Sequence, residues 1–211
     1  YIYRSSIWKN WRAYIDSAKA HNTLEIENHR MGAVPETDPR VRGVRTHCHH
    51  FEETEEYQLI DISHNGYAFM EDPIFHRRRV VALPGDIFVI DDQITGLAME
   101  EHDFNLYFNF APGTLTPQGK NDWHYTTVKG TNYRIVTLGD VESGILVGSE
   151  DPIGGWVSYG YPIRQPIPQL RLTKHGKAPQ RFVTVIAPAQ SNVSGEIKGQ
   201  QVLLQLGEKQ I

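Results

Sequence analysis

The sequence places imidazole and guanidinium side chains at three points where they could bind a metal ion or an anion. His21 lies in the stretch Ala-His-Asn-Thr, His47 and His49 lie two residues apart in His-Cys-His-His, and residues 77–79 are three consecutive arginines. Imidazole nitrogen is a common zinc ligand, and guanidinium matches carboxylate or sulfate in a fork geometry. Metal binding and anion recognition are therefore the chemistry to consider first.

The histidines also have structural interpretations. His21 falls in a predicted half-buried strand, residues 20–27, and the period of two places it away from the apolar face. A solitary histidine is more often a hydrogen-bonded residue than a ligand. His47 and His49 share one face of an extended chain, but no third ligand converges with them, so a metal module around His47, His49 and His50 is the weaker alternative.

His64 is a candidate substrate-binding residue. It follows a predicted strand at residues 57–63 and precedes Asn65-Gly66, a dipeptide that readily takes positive φ. We therefore expect His64 at the edge of a turn. Such positions carry function more often than core positions do, and an ordinary exposed turn is the alternative.

The arginine run belongs to a predicted central hairpin at residues 76–92. Two apolar runs rich in β-branched residues, 80–83 and 87–90, flank Pro84-Gly85, which favours a turn. Because each run is apolar at consecutive positions, we predict central strands that are covered on both faces.

A tight turn in this hairpin would pair Arg78 with Asp91 and Arg77 with Asp92, and a longer loop would shift that register. Arg77 and Arg79 project from one face of the strand and Arg78 from the other, so the three cannot line one groove. We name Arg77 and Arg79 as candidate substrate-binding residues. Pairing with the strand carboxylates is the alternative.

The elements around the hairpin are short strands separated by turns. A short N-terminal amphipathic helix is predicted from the helical spacing of Trp11, Tyr14 and Ala18, with Ser6 as its cap. Further strands are predicted at residues 102–110, 133–138, 145–148, 156–161, 169–172, 182–187, 193–197 and 202–206. This pattern predicts an all-β fold, an antiparallel multi-stranded β-sandwich of stacked sheets, with residues 1–211 as one domain.

Composition bounds the function. A net charge of −4 over 211 residues argues against general affinity for nucleic acid. No apolar run approaches the roughly 20 residues that cross a bilayer. Cys48 is the single cysteine, so no disulfide forms within the chain. Ten Tyr and four Trp in an all-β chain support one candidate function, a non-catalytic carbohydrate-binding module.

Four stretches together resemble the heparinase II/III-like family of polysaccharide lyases, in the part that follows its catalytic helical toroid. They are residues 14–27 with Ala-His-Asn-Thr-Leu, residues 76–92 with His-Arg-Arg-Arg-Val, residues 108–113 with Phe-Asn-Phe-Ala-Pro-Gly, and residues 155–170 with Gly-Trp-Val-Ser-Tyr-Gly. Their order and spacing also match, and the resemblance covers most of the chain.

The resemblance implies the C-terminal β-sandwich of an enzyme that cleaves acidic, uronate-containing polysaccharides by β-elimination. It implies that His21 is a ligand of a structural zinc, whose other ligands come from a His-x-His-x-Asp stretch and an Asp upstream. The toroid supplies the catalytic side chains, so no catalytic residue is expected here and the chain alone is expected to be inactive. The expected partners are an acidic polysaccharide and the toroid of the same protein, in a periplasmic or secreted location.

Overall fold

The structure, a computed structural model, describes residues 9–27, 29–32, 44–160, 163–207 and 209–210. Its one described α-helix, α1, spans Lys9–Ile15, and a 3-10 turn follows at Ala18–Ala20. As predicted, Tyr14 and Ala18 turn inwards and are buried. The predicted cap, Ser6, lies outside the described residues. No helix in the described parts of the chain is long and apolar enough to span a membrane.

The described residues form 19 strands, numbered in chain order. They are β1 Leu24–Ile26, β2 Thr46–Glu53, β3 Gln58–Tyr67, β4 Ile74–Leu83, β5 Ile87–Gly96, β6 His102–Asn109, β7 Gly113–Gly119, β8 Asp122–Thr127, β9 Asn132–Leu138, β10 Glu142–Val147, β11 Ser149–Glu150, β12 Ile153–Gly154, β13 Trp156–Gly160, β14 Ile163–Pro166, β15 Pro168–Gly176, β16 Gln180–Pro188, β17 Val193–Lys198, β18 Gln201–Leu206 and β19 Lys209–Gln210.

Three antiparallel sheets are stacked. The middle sheet has eight strands in the order β2-β3-β4-β5-β16-β9-β8-β7. A four-stranded sheet, β1-β6-β15-β10, covers one face of it, which we call the inner face. A three-stranded sheet, β17-β18-β19, covers part of the opposite, outer face. The predicted all-β sandwich of stacked sheets is thereby confirmed.

The main core lies between the four-stranded sheet and the inner face. Phe104 and Leu106 of β6 are fully buried, as their alternation predicts, and they belong to one apolar cluster with Ile94 of β5 and Phe182 of β16. A second cluster joins Val185 of β16 to β17 and β18 on the outer face. Strand β16 is therefore apolar at consecutive positions because its two sides enter two different cores.

The predicted register of the central hairpin is wrong by one residue. Leu83 pairs with Ile87, so the loop has three residues, and its last two, Gly85 and Asp86, have φ of 86° and 60°. Arg78 therefore lies opposite Asp92, and Arg79 lies opposite Asp91. The shorter turn would have needed a backbone twist that Pro-Gly does not supply.

The coverage predicted for this hairpin is also partly wrong. Both strands are internal to the sheet, yet the residues from Arg77 to Leu83 are only half-buried, and Phe88 is 38% exposed. The third sheet reaches only the β5 end of the outer face, where Ile87 and Val89 pack against the second cluster. Consecutive apolar residues therefore overstate the burial of these strands.

Three further predictions need correction. Residues 20–27 were predicted as a half-buried strand, but β1 covers only Leu24–Ile26 and is buried throughout, and Glu25 accepts a hydrogen bond of 2.9 Å from Tyr107 Oη. No strand was predicted between residues 161 and 169, where β14 forms and pairs with β13. Strands β7 and β8 were not predicted, since Pro117 weakens the pattern. β7 is the edge strand of its sheet, where proline is tolerated.

Candidate functional site

An open cleft of about 370 Å³ surrounds His21. Its lining comes from residues 20–22, from residues 109–111 at the end of β6, and from Trp156 and Tyr159 of β13. These segments are distant in sequence, yet they belong to three of the four stretches singled out in the sequence, residues 14–27, 108–113 and 155–170. We call this feature the His21 cleft.

The side chain of Asn109 holds the loop that carries His21. Its Nδ2 donates hydrogen bonds to the carbonyls of Lys19 and His21, both at 3.2 Å. Its backbone N–H donates to Oδ1 of Asn22 at 2.6 Å. Gln169 on the neighbouring strand supports this arrangement, because its Nε2 donates to the Lys19 carbonyl and to Oδ1 of Asn109. The loop backbone is thus fixed from the four-stranded sheet.

His21 is exposed, as predicted, but it lies in the loop before β1 rather than in a strand. Its Nε2 donates a hydrogen bond of 3.1 Å to the carbonyl of Ile15, since a carbonyl oxygen can only accept. In the neutral ring Nδ1 then carries no proton, and it bonds to no other described residue. A histidine that ligates a metal commonly donates its second ring N–H in this way. The residue therefore fits a metal-ligand role through Nδ1.

An aromatic wall stands beside His21. Trp156 Nε1 donates to the carbonyl of Ser149 at 2.8 Å, and the Trp156 ring packs edge to face on Trp11 at 5.4 Å. The guanidinium of Arg164 stacks on Trp11 at 3.7 Å. Tyr159, by contrast, is 68% exposed. The wall is thus rigid at Trp156 and offers an open ring at Tyr159.

Most of the chain matches one known protein family. The family described as heparinase II/III-like, C-terminal, matches residues 1–194. The chain belongs to the heparinase II/III-like family. The matched residues include all three stretches that meet at the His21 cleft. No curated protein matches the chain at a significant level.

Solved structures of heparinases have the same fold. The chain superposes on heparan sulfate lyase HepC from Pedobacter heparinus with a TM-score of 0.77 at 17% identity, covering 100% of this chain and 32% of that one. It superposes on a heparinase III with a TM-score of 0.75 at 20% identity, covering 99% of this chain and 31% of that one. The heparinase II/III-like chain therefore spans about a third of the length of these relatives.

A complete metal site is not formed by the described part of this heparinase II/III-like chain. Its described residues contain no group of three or more His, Cys, Asp or Glu side chains that could hold a metal ion. The rings of His47 and His49 lie 4.5 Å apart, on one face as predicted. The metal module around His47, His49 and His50 therefore lacks a third described ligand.

The three arginines of β4 separate as their alternation predicts. On the outer face, Asp61 accepts two hydrogen bonds from Arg77, at 2.6 and 2.7 Å, and one from Arg79 at 2.9 Å. Chiefly because of Arg77, the pKa of Asp61 falls to about 2. On the inner face, Arg78 binds Asp92 and donates from Nη1 to the carbonyl of Asn22 at 2.6 Å.

The arginine that supports the His21 loop is therefore Arg78, which the sequence did not single out for function. The sequence did offer one indication of this role, the carboxylate of Asp92 on the opposite strand, with which Arg78 could pair. The alternative that Asp91 pairs with this run is wrong, because Asp91 accepts two hydrogen bonds from Arg181 of β16, at 2.7 and 3.0 Å. Only the complete sheet order shows that contact.

His64 lies within β3, at an irregularity of the strand, rather than at the edge of a turn. Its Nδ1 accepts from the backbone N–H of Gly66 at 3.1 Å, so its proton is on Nε2, which donates to His76 Nδ1 at 3.0 Å. His76 Nε2 then donates to Asp92 at 2.6 Å. Both imidazoles are neutral in this chain of hydrogen bonds, and each ring nitrogen is used.

Burial and nearby charge together set the ionisation of this chain of groups. Desolvation by burial, reinforced by the positive charge of Arg78, lowers the pKa of His64 to about 4. Burial alone would raise the pKa of Asp92, but Arg78 and His76 outweigh it and the pKa is lowered. Asp92 is completely buried and anionic, between a cation and a hydrogen-bond donor. The group stabilises the fold beside the His21 loop.

Proposed function

We propose that this chain is the C-terminal β-sandwich of a lyase that cleaves a uronate-containing polysaccharide by β-elimination. The observation that carries the proposal is the convergence of three family stretches on the His21 cleft. An aromatic ring at Tyr159 and a histidine with an unused nitrogen face the same opening. The relatives of known structure, described as a heparan sulfate lyase and a heparinase III, support this substrate class.

The reaction requires three groups around the uronate. One group neutralises the carboxylate, a base removes the C5 proton, and an acid protonates the departing oxygen. We assign none of these roles to a residue of this chain. We propose that a helical toroid in the same protein supplies them, and that this chain forms one wall of the cleft and binds the sugar through Tyr159 and Trp156.

His21 is the zinc ligand that this chain would contribute. Its Nε2–H is committed to the Ile15 carbonyl, which leaves Nδ1 for the metal. A structural zinc takes four ligands, so we propose that the others come from the preceding part of the protein. Bound zinc would tie the His21 loop to that part and stabilise the cleft.

The other predicted substrate contacts lie elsewhere. Arg77 and Arg79 are on the outer face, where each pairs with Asp61, and both nitrogens of His64 are used within the chain. A role in substrate binding stays a prediction for all three. The proposed periplasmic or secreted location rests on family membership alone. Family membership does not favour the alternative of a non-catalytic carbohydrate-binding module.

Product release tests the proposal directly. A longer protein that joins this chain to its toroid should release unsaturated uronate products, seen by ultraviolet absorbance, from at least one heparan-type or alginate-type polymer. The chain alone should release none. Failure of the longer protein with every uronate polymer would contradict the lyase assignment.

A further inference from the structure

A second concave feature lies on the outer face of the eight-stranded sheet. This outer cleft, of about 340 Å³, is formed where β2, β3 and β4 meet, and its polar lining includes Arg45, His47, His49, Ser63, Asn65 and Arg77. It shares no lining residue with the His21 cleft. The alternation of β4 explains the separation, because Arg78 faces the His21 loop while Arg77 faces the opposite way.

The described lining of the outer cleft also includes His64, His76 and Phe75, and it contains no carboxylate. Arg45 is exposed, and its guanidinium bonds to no described residue. Asp61 is shared between Arg77 and Arg79, so these three groups together carry one net positive charge. Arg77 commits Nε and Nη2 to Asp61, and its Nη1 bonds to no described residue. Cationic donors thus remain at both sides of the cleft.

Alternation along β2 brings two imidazoles to this face. His47 and His49 are two residues apart, so they project to the same side of the strand, and their rings lie 4.5 Å apart. His49 Nε2 lies 2.8 Å from the hydroxyl oxygen of Ser63, while the ring of His47 bonds to no described residue.

Exposed charge on an edge strand also prevents association between sheets. That role needs only charge along the strand, and either sign would serve it. The outer cleft instead has a concave shape and donors from three strands, and no acidic side chain is among its described lining. These features match recognition of an anion.

We propose that the outer cleft binds an anionic group, a sulfate ester or a uronate carboxylate, of the acidic polysaccharide. It is a second binding site, on the other face of the sheet from the His21 cleft. The inference rests on the proposed function for the identity of the polysaccharide. Arg45 and Arg77 provide the charge, and His47, His49 and Ser63 provide hydrogen-bonding groups around the anion.

The test uses the complete protein carrying His21→Ala. Binding of the polysaccharide to the outer cleft can then be measured without turnover and without an intact His21 cleft. Titration calorimetry gives the Kd for a sulfated uronate polysaccharide and for its desulfated form. In this background, Arg45→Gln with His47→Ala should weaken binding about tenfold, since two charge-assisted contacts are lost. The matched control is Lys129→Gln with His124→Ala, which also removes one cation and one imidazole, near the opposite edge of the sheet, and should leave the Kd unchanged.

The outcomes separate this inference from the lyase proposal. A selective loss in the Arg45 and His47 variant supports the outer cleft, and the desulfated polymer then shows whether sulfate or carboxylate is bound. An unchanged Kd, an equal loss in the control, or no binding in the His21→Ala background overturns it. Arg45→Gln alone, with its melting temperature measured, provides a second test that does not depend on the double variant. Product release by the protein with native His21 reports on the lyase proposal independently.

Discussion

Asn109 Nδ2 donates a hydrogen bond of 3.2 Å to the main-chain carbonyl of His21, across 88 residues of sequence. The same amide bonds the carbonyl of Lys19, and Gln169 supports it from β15. The Phe-Asn-Phe stretch therefore fixes the backbone of the Ala-His-Asn-Thr stretch through hydrogen bonds. The latter stretch carries the proposed metal ligand.

Asn109→Ala should reduce the free energy of unfolding by about 1–3 kcal/mol, because the carbonyls of Lys19 and His21 lose their donor. Chemical denaturation measures the change. The matched control is Asn192→Ala, at an exposed position, where an effect within about 0.5 kcal/mol is expected. Equal effects at the two positions would show that the Asn109 hydrogen bonds do not stabilise the loop.

Asp92→Asn should destabilise the fold by about 3–5 kcal/mol, because it leaves the half-buried Arg78 without its fully buried carboxylate partner and disturbs the bond from His76. Asp86→Asn, in the exposed turn with φ of 60°, is the control and should be nearly neutral, since asparagine tolerates this conformation. Thermal and chemical unfolding of both variants give the comparison. A mild effect of Asp92→Asn would mean that the buried pair contributes little.

His64 should make stability depend on pH. Its pKa is about 4 in the folded state, below its ordinary value of 6.5, so the unfolded chain binds the proton more tightly. The contribution is fully present above pH 6.5 and is lost as the pH falls towards 4, by up to about 3 kcal/mol. His64→Gln should flatten this part of the stability profile. An unchanged slope between pH 6.5 and 4 would contradict the assignment.

Tyr159 should contribute to sugar binding through its exposed ring. In the longer protein with its toroid, Tyr159→Ala should raise the KM of the proposed lyase reaction several-fold, because it removes the stacking surface. Tyr159→Phe keeps the ring and is the matched control, with KM expected near that of the native protein. An effect of Tyr159→Phe as large as that of Tyr159→Ala would assign the role to the hydroxyl instead.

The sequence predicted the β-sandwich and the face of each arginine in β4, because both depend on alternation along a strand. The partners of those arginines depend on turn length and strand order. One extra loop residue moved Asp92 opposite Arg78, and β16 brought Arg181 to Asp91. His64 was misplaced for a similar reason, since β3 continues through Asn65-Gly66. The meeting of His21, Asn109 and Trp156 needed the family resemblance or the structure.

The most direct measurement of the central claim is zinc content, determined side by side for this chain, for the longer protein with its toroid, and for that protein with His21→Ala. We predict zinc and lyase activity in the longer protein only, with both lost on His21→Ala and the loss of metal visible without any substrate. Full zinc content in the His21→Ala protein, or tight zinc binding by the isolated chain, would contradict the account of His21 as one ligand of a site completed upstream.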